Sequence, residues 1–171
     1  MTTIPAAARA GVVRATEART LFDGPLGAML LAGADQTAGV AAFVLHPLAP
    51  RALGSPVHTH RHEDEWSFVL DGEIGVQLGD DVHVARAGDL VLKPRGLPHA
   101  FWNPGDAPAR LLEVITPGGF ERYFERLGEI LSVDGPPDLD ALAAVAVDHG
   151  LDVDLASVPR LAEAHGLRVG P

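Results

Sequence analysis

Short apolar or alternating segments follow one another between residues 26 and 115, and Gly, Pro and Asp separate them. Because alternate side chains of an extended chain face opposite sides, this pattern indicates many short β-strands. Asp71-Gly72 and Gly79-Asp80-Asp81 stand between neighbouring segments and supply residues that tolerate positive φ in tight hairpins. The predicted strands are residues 40–46, 66–70, 73–78, 81–85, 89–92, 99–102 and 110–115. Such a meander of hairpins protects its edges by closing into a barrel or jelly roll.

The period of the pattern changes from two to about 3.6 after Pro117. A first helix is predicted around residues 120–127, Asp138 can cap a second, and Ser157 can open a third that ends at Gly166. Pro136-Pro137 is the one linker-like break. Too few helices follow to form a core of their own. We therefore predict a barrel with N-terminal strands over residues 1–117 and a helical extension over 118–171, packed on the barrel or on a partner subunit.

Composition restricts the chemistry. The 171 residues, of which 47% are hydrophobic, suffice for one domain with a buried core. A net charge of −10 disfavours nucleic acid and anionic membrane surfaces as partners. With no cysteine, a metal ion must be held by histidine and carboxylate. The chain shows no readable secretory signal and no apolar run long enough to span a membrane, so we expect a soluble, cytoplasmic protein.

The segment of residues 57–72 carries the first candidate ligands. His58 and His60 are two apart, so in a strand their side chains face the same way and can bind one ion. The polar residues 61–64 suit a turn, after which Glu65 can return to the ion from a neighbouring strand.

The segment of residues 88–103 supplies the fourth candidate. Pro94-Arg95-Gly96 forms a turn, Pro98 stiffens the chain, and His99 begins a new strand. A histidine far along the chain can thereby reach the same ion.

These two segments resemble the two motifs of the cupin superfamily. His58, His60, Glu65 and Gly72 match the first motif, and Gly88, Pro94, Gly96, His99 and Asn103 match the second. The helices after the barrel are similar to those of small bacterial single-domain cupins likened to quercetin 2,3-dioxygenase. The resemblance implies an all-β double-stranded β-helix, also called a jelly-roll or cupin barrel, with short C-terminal helices.

The resemblance also implies one divalent transition metal ion, Fe, Mn, Ni, Cu or Zn, inside the barrel. His58, His60, Glu65 and His99 would bind it and leave positions open for substrate, water or O₂. Cupins commonly dimerise by joining sheets, so we expect a homodimer, for which Trp66 or Trp102 could serve as an anchor.

Several other residues have a simpler interpretation. His62 is expected in a solvated loop, with a substrate-side group or alternative ligand as the other possibility, and Glu63 is expected to be a plain loop charge. The apolar residues of the first helix should face the core, the alternative being a lid over the barrel mouth; they are Phe120, Tyr123, Phe124 and Leu127. The remaining histidines lack partners at ligand spacing and are expected to be structural or at the surface: His46, His83, His149 and His165.

Three functions are compatible with such a site. The first is a dioxygenase in which Glu65 is both ligand and base, acting on a small apolar or aromatic substrate that carries oxygen atoms. The second is a metal-dependent isomerase, lyase or cyclase without redox chemistry, and the third is a non-catalytic cupin that binds a small ligand. The predicted substrate-binding wall consists of Val57, Val69, Val76, Leu97 and Phe101.

Overall fold

The computed structural model of the chain describes residues 10–133, 135 and 138–168. The predicted linker at Pro136-Pro137 lies outside the described residues. Across the ranges that are described, every helix is too short or too polar to cross a membrane.

Two antiparallel sheets form the barrel. The six-stranded sheet has the order β1-β2-β3-β10-β5-β8, and the five-stranded sheet has the order β11-β4-β9-β6-β7. Each of the seven strands predicted above overlaps an observed strand, which confirms the all-β two-sheet prediction. The strands are β1 Arg19–Phe22, β2 Ala28–Ala32, β3 Ala42–Leu48, β4 Val57–His60, β5 Asp64–Asp71, β6 Glu73–Leu78, β7 Asp81–Arg86, β8 Leu90–Lys93, β9 His99–Trp102, β10 Ala109–Thr116 and β11 Leu151–Asp154.

Three of the four α-helices in the described residues lie at the predicted positions, and the short helix α1, Ala34–Thr37, was not predicted. Asp138 caps its helix, because its carboxylate accepts hydrogen bonds from the backbone N–H groups of Asp140 and Ala141 at 3.1 and 3.0 Å. Gly166 ends the last helix in the left-handed conformation, as a C-terminal glycine does. The helices are α1 Ala34–Thr37, α2 Glu121–Leu131, α3 Leu139–Asp148 and α4 Ser157–His165, and Ala15–Glu17 forms one 3₁₀ turn.

The C-terminal segment is more than a helical extension, because it adds a strand to the barrel. Strand β11 pairs with β4, so that Val153 lies opposite His58 and Leu151 lies opposite His60. The Ser157 hydroxyl accepts a hydrogen bond from the backbone N–H of Val57 at 2.8 Å. The segment therefore holds the strand that carries two of the candidate ligands.

The core has three parts. One apolar cluster fills the inside of the barrel around Val69, Ile74 and Leu111. A second lies under α2 at the other end and includes Phe120. The third lies outside the five-stranded sheet, where α4 covers Trp102. The barrel interior between the first two clusters holds the polar groups described next.

Candidate metal centre

Four side chains from three strands converge inside the barrel. His58 and His60 come from β4, Glu65 from the start of β5, and His99 from the start of β9, where it lies opposite His58. One ligand atom from each of these residues can be chosen so that all four lie within 4.8 Å of one another. All four side chains are buried. The structure thus brings together the four residues that the sequence predicts as metal ligands.

The Glu65 carboxylate faces the imidazoles on both of its oxygen atoms. Oε2 lies 3.1 Å from His99 Nε2, and Oε1 lies 3.3 Å from His60 Nε2. The His58 ring packs on the His99 ring with a centroid distance of 4.3 Å. Such short separations of nitrogen and oxygen lone pairs are those of groups that can share one ion.

The outer nitrogen of each imidazole is bound away from the centre. Nδ1 of His58 donates to the carbonyl oxygen of Pro56, and Nδ1 of His99 donates to that of Leu97, both at 2.9 Å. Since a carbonyl oxygen only accepts, each Nδ1 carries the proton and each Nε2 is free to bind a metal. Nδ1 of His60 lies 3.4 Å from Glu63 Oε2, so Glu63 orients a candidate ligand and is more than the loop charge that was predicted.

The surroundings of the cluster favour the protonation states in which histidine and glutamate bind a metal ion. Burial lowers the pKa of His58 well below its ordinary value, which keeps the imidazole neutral. Burial alone would raise the pKa of Glu65, but the ammonium of Lys93 and the neighbouring His60 and His99 hold it well below its ordinary value. A neutral imidazole and an ionised carboxylate are the forms that bind metal ions.

A buried lysine, which the sequence analysis missed, lies between two buried carboxylates. Lys93 is 1% exposed, and its Nζ lies 3.0 Å from Glu65 Oε2 and 2.8 Å from Glu113 Oε1. Burial alone would lower the pKa of Lys93, but Glu113 and Glu65 raise it above its ordinary value. The Ser67 hydroxyl donates to Glu113 at 2.9 Å. A row of buried charged groups therefore extends from the metal ligands into the six-stranded sheet.

A small cavity of about 110 Å³ lies beside the cluster. The Phe120 ring packs edge-on against His60 at a centroid distance of 4.5 Å, and α2 contributes apolar residues to the cavity lining. The predicted apolar residues of this helix thus pack in the core and also line the cavity. The lining consists of Phe22, Leu26, His46, Gly54, Ser55, Pro56, His58, His60, Glu65, Phe101, Glu113, Phe120, Tyr123, Phe124, Leu127, Leu151 and Val153.

Of the five predicted substrate-binding residues, only Phe101 lines this cavity. Val57 precedes His58 on the strand and therefore points outward, where it packs against the cluster around Trp102. Val69 and Val76 are buried in the core cluster inside the barrel, away from the cavity lining. Leu97 lies in the turn before His99 and reaches the centre only through its carbonyl oxygen. These four residues lie outside the lining of this cavity, and their role in substrate binding stays a prediction.

The remaining histidines discussed above lie partly at the surface and partly in the interior. His62 and His83 are exposed, as expected of residues without a role at the centre. His165 stacks on Trp102 at a centroid distance of 4.1 Å, and this leaves Trp102 only 2% exposed. Trp102 is therefore unavailable as an anchor between subunits. His46, expected to be structural or at the surface, is buried and lines the cavity.

The donor set fits a first-row divalent ion. Three neutral imidazoles and one carboxylate are ligands that Fe, Mn, Ni, Cu and Zn all accept, and the hydrogen bonds on Nδ1 supply the outer orientation that such sites use. Four ionisable groups buried this closely are costly unless they are paired or bound to a metal. The cluster can therefore hold a metal ion, whose identity the ligand types leave open.

Part of the chain is similar to a known protein family. Residues 44–115 match the family model of the cupin domain. The chain is 37% identical over 60 residues to the protein SchB of Streptomyces halstedii, a match that covers 35% of this chain and 44% of SchB. The chain thus spans less than half the length of that curated relative.

Two solved structures share the fold. A predicted oxalate decarboxylase from Thermotoga maritima has a TM-score of 0.56 at 24% identity, over 61% of this chain and 97% of that one. A conserved protein with a double-stranded β-helix domain from Klebsiella pneumoniae has a TM-score of 0.50 at 22% identity, over 57% and 81%. Similarity at this level of identity shows the fold alone. Residues 44–115 thus match the cupin domain model, and the chain has a double-stranded β-helix fold.

Proposed function

We propose that the protein is a metal-dependent dioxygenase that acts on a small apolar or aromatic substrate carrying oxygen atoms. One observation carries the proposal: three imidazoles and one carboxylate converge beside a cavity that is lined mainly by aromatic and aliphatic side chains. This combination suits a substrate that presents oxygen atoms to the ion and an apolar body to the walls. We also propose, from the helices that follow the barrel, that the protein is similar to quercetin 2,3-dioxygenase-like proteins.

His58, His60, Glu65 and His99 would hold the ion. When bound, it supplies a Lewis acid with open positions for the oxygen atoms of the substrate and, if it is redox-active, a route for electrons to O₂. The chain itself supplies apolar walls. Phe120 and its neighbours on α2 line the cavity beside His60, and fewer water molecules around the centre would strengthen the electrostatic interactions there.

Glu65 is the proposed base. Its carboxylate lines the cavity, so it can accept a proton from a hydroxyl group of the substrate. Because Lys93 contacts Oε2 at 3.0 Å, Oε1 is the oxygen with the fewest close cationic neighbours. Lys93 also keeps the carboxylate ionised, which both roles of Glu65 require.

A second candidate is a metal-dependent isomerase, lyase or cyclase without redox chemistry. The observation that favours it is a second carboxylate, Glu113, in the cavity lining. Two carboxylates facing one cavity can take and return a proton while the ion polarises a carbonyl group, and no oxidant is needed. Simple ligand binding without reaction is the remaining alternative.

Metal analysis and oxygen consumption separate these functions. Protein purified without added metal is analysed beside His58→Ala and His99→Ala, with His62→Ala as a control, because His62 is an exposed histidine. Oxygen uptake is then measured with flavonols and diketones. Iron, manganese, nickel or copper that the two ligand variants lose, together with oxygen uptake, supports the dioxygenase. Turnover that persists under argon with Zn²⁺ excludes it and supports the non-redox enzyme.

A further inference from the structure

His46 is a buried imidazole that the proposed chemistry leaves unused. It is 2% exposed, it lines the cavity, and it lies between two aromatic rings, with centroid distances of 6.2 Å to Phe101 and 5.3 Å to Phe124. It belongs to β3 of the six-stranded sheet, whereas the three imidazoles of the candidate metal centre belong to the five-stranded sheet. His46 is thus a separate polar group on the facing wall of the cavity.

The hydrogen bond of His46 fixes which of its nitrogen atoms can bind a ligand. Nδ1 lies 2.8 Å from the carbonyl oxygen of Gly27, and because that oxygen only accepts, Nδ1 carries the proton. Burial lowers the pKa of His46, so the ring is neutral and Nε2 has a free lone pair. Nε2 has no hydrogen-bond partner within the described part of the chain. An acceptor with a free lone pair in the lining of a cavity can accept a hydrogen bond from a bound molecule.

Two further polar groups lie in the same cavity lining. Glu113 stands on β10, where its neighbour Leu111 pairs with His46, so the two side chains occupy adjacent inward positions. Its Oε1 is taken by Lys93 and Ser67. The hydroxyl of Ser55 also lines the cavity, is buried, and has no hydrogen-bond partner in residues 10–133, 135 and 138–168.

We propose that His46 and Glu113 form a second binding subsite that accepts a hydrogen bond from a hydroxyl or N–H group of the substrate. The inference deepens the proposed function, on which it rests, by naming the substrate class. The substrate is a small molecule that binds the ion through oxygen atoms at one end and carries a hydrogen-bond donor at the other. A cavity of about 110 Å³ limits it to the size of a single ring, since a cavity of similar size in another protein binds benzene.

Two single-ring chelators that differ in one hydroxyl group test this subsite. Kojic acid and allomaltol share the same hydroxypyranone ring, which binds metal ions through two oxygen atoms. Kojic acid carries a hydroxymethyl group where allomaltol carries a methyl group. The affinity of both is measured by calorimetry on the protein loaded with Zn²⁺, which supports no redox turnover. We expect kojic acid to bind about tenfold more tightly than allomaltol, as one additional hydrogen bond allows.

Three variants assign that preference to His46. His46→Phe keeps an aromatic ring but lacks the acceptor, so the affinity ratio should fall to about one. His46→Gln retains an acceptor oxygen and should keep part of the preference, while His83→Phe changes an exposed histidine and should keep all of it. Equal affinities in the wild type, or a preference that survives in His46→Phe, would overturn the subsite.

A measurement on the unmodified chain avoids dependence on the folding of any variant. Nitrogen-15 NMR of the histidine rings should show His46 with its proton on Nδ1. A proton on Nε2 would remove the acceptor and overturn the inference. Oxygen uptake without a hydroxyl preference would contradict the subsite alone, whereas a clear preference without any turnover would contradict the proposed reaction alone.

Discussion

The Nζ atom of Lys93 lies 3.0 Å from Oε2 of Glu65, and this contact joins the candidate metal centre to the wall of the barrel. The two residues face each other across the pairing of β5 with β8. Lys93 also lies 2.8 Å from Glu113, so one buried ammonium stands between two buried carboxylates. The group therefore has one negative charge in excess, which a bound divalent cation would more than neutralise.

Replacement of Lys93 by methionine should destabilise the protein. The variant keeps most of the side-chain volume but leaves Glu65 and Glu113 buried without their shared cation. Removal of one partner from a buried ion pair costs about 3–5 kcal/mol. Urea unfolding of the metal-free protein measures the change in the free energy of unfolding.

The double variant Lys93→Met/Glu113→Gln is the control for that experiment. It removes one of the two uncompensated carboxylates, so it should be more stable than Lys93→Met alone. If the double variant is equally unstable or less stable, the loss comes from the contact of the ammonium with the Phe101 ring, whose centroid lies 5.4 Å from Nζ, and the argument from the two carboxylates is wrong.

Metal binding should stabilise the folded chain. An ion at one hundred times its dissociation constant raises the free energy of unfolding by about 2.7 kcal/mol. Thermal unfolding with and without a chelator should therefore differ for the wild type and for His62→Ala, but not for His60→Ala. A shift of the same size in His60→Ala would mean that the ion binds elsewhere.

The stability of the metal-free protein should depend on pH through His46. Burial holds the pKa of His46 below its ordinary value of 6.5, with Lys93 lowering it further and Glu113, Gly27 and Glu65 acting in the opposite direction. As the pH falls through 6.5, the unfolded chain takes up a proton that the folded chain does not. The contribution of His46 to the free energy of unfolding is thus fully present above about pH 6.5. It decreases below that pH by at most about 1.4 kcal/mol per pH unit.

Comparison with His46→Phe isolates this dependence. Both proteins keep His58, whose pKa is also lowered, so the difference between the two slopes belongs to His46. Chemical unfolding at several pH values between 5 and 7.5 gives the slopes. Equal slopes would show that His46 has the same pKa in the folded and unfolded chains.

The sequence predicts the elements and the convergence of the four candidate ligands, because both depend on local spacing. It does not show which inward-facing polar residues meet. In β8, Leu90 and Leu92 are exposed while Val91 and Lys93 are buried. Hydrophobicity alone would therefore predict the wrong face of this strand to be buried. The pairing of β5 with β8, which brings Lys93 to Glu65, is a property of the sheet order.

The missed elements have a similar cause. Strand β11 has only four residues between two helices, too few for a period of two to stand out. Its pairing with β4 depends on contacts between residues about 95 positions apart. His46 has no neighbour at ligand spacing, and only the pairing of β3 with β10 places it beside Glu113.

Helix α2 should be sensitive to substitution at Gly128. A methyl group there would lie 2.2 Å from the backbone oxygen of Leu21, which cannot move as a side chain does. Alanine is otherwise the better helix former by about 1 kcal/mol, so a destabilised Gly128→Ala would show that the clash outweighs propensity. Exposed Arg122→Ala is the control. Because α2 lines the cavity, Gly128→Ala should also release the bound hydroxypyranone faster in stopped-flow experiments.

The homodimer stays a prediction. The structure offers one candidate contact surface for it. Four large apolar side chains are exposed together on the outer face of the six-stranded sheet, where Trp66 pairs with Leu92 and Phe68 pairs with Leu90. They are 37%, 57%, 40% and 56% exposed, respectively. An exposed apolar patch of this kind is typical of a surface that another protein covers.

Sedimentation velocity tests this face with a matched pair of variants. Phe68→Glu places a charge in the middle of the patch and should convert a dimer into monomers. Val84→Glu places the same charge on β7 of the other sheet, where the side chain is 46% exposed, and should leave the dimer intact. A wild type that sediments as a monomer at micromolar concentration contradicts the homodimer. A dimer that survives Phe68→Glu but dissociates in Val84→Glu would place the contact on the five-stranded sheet instead.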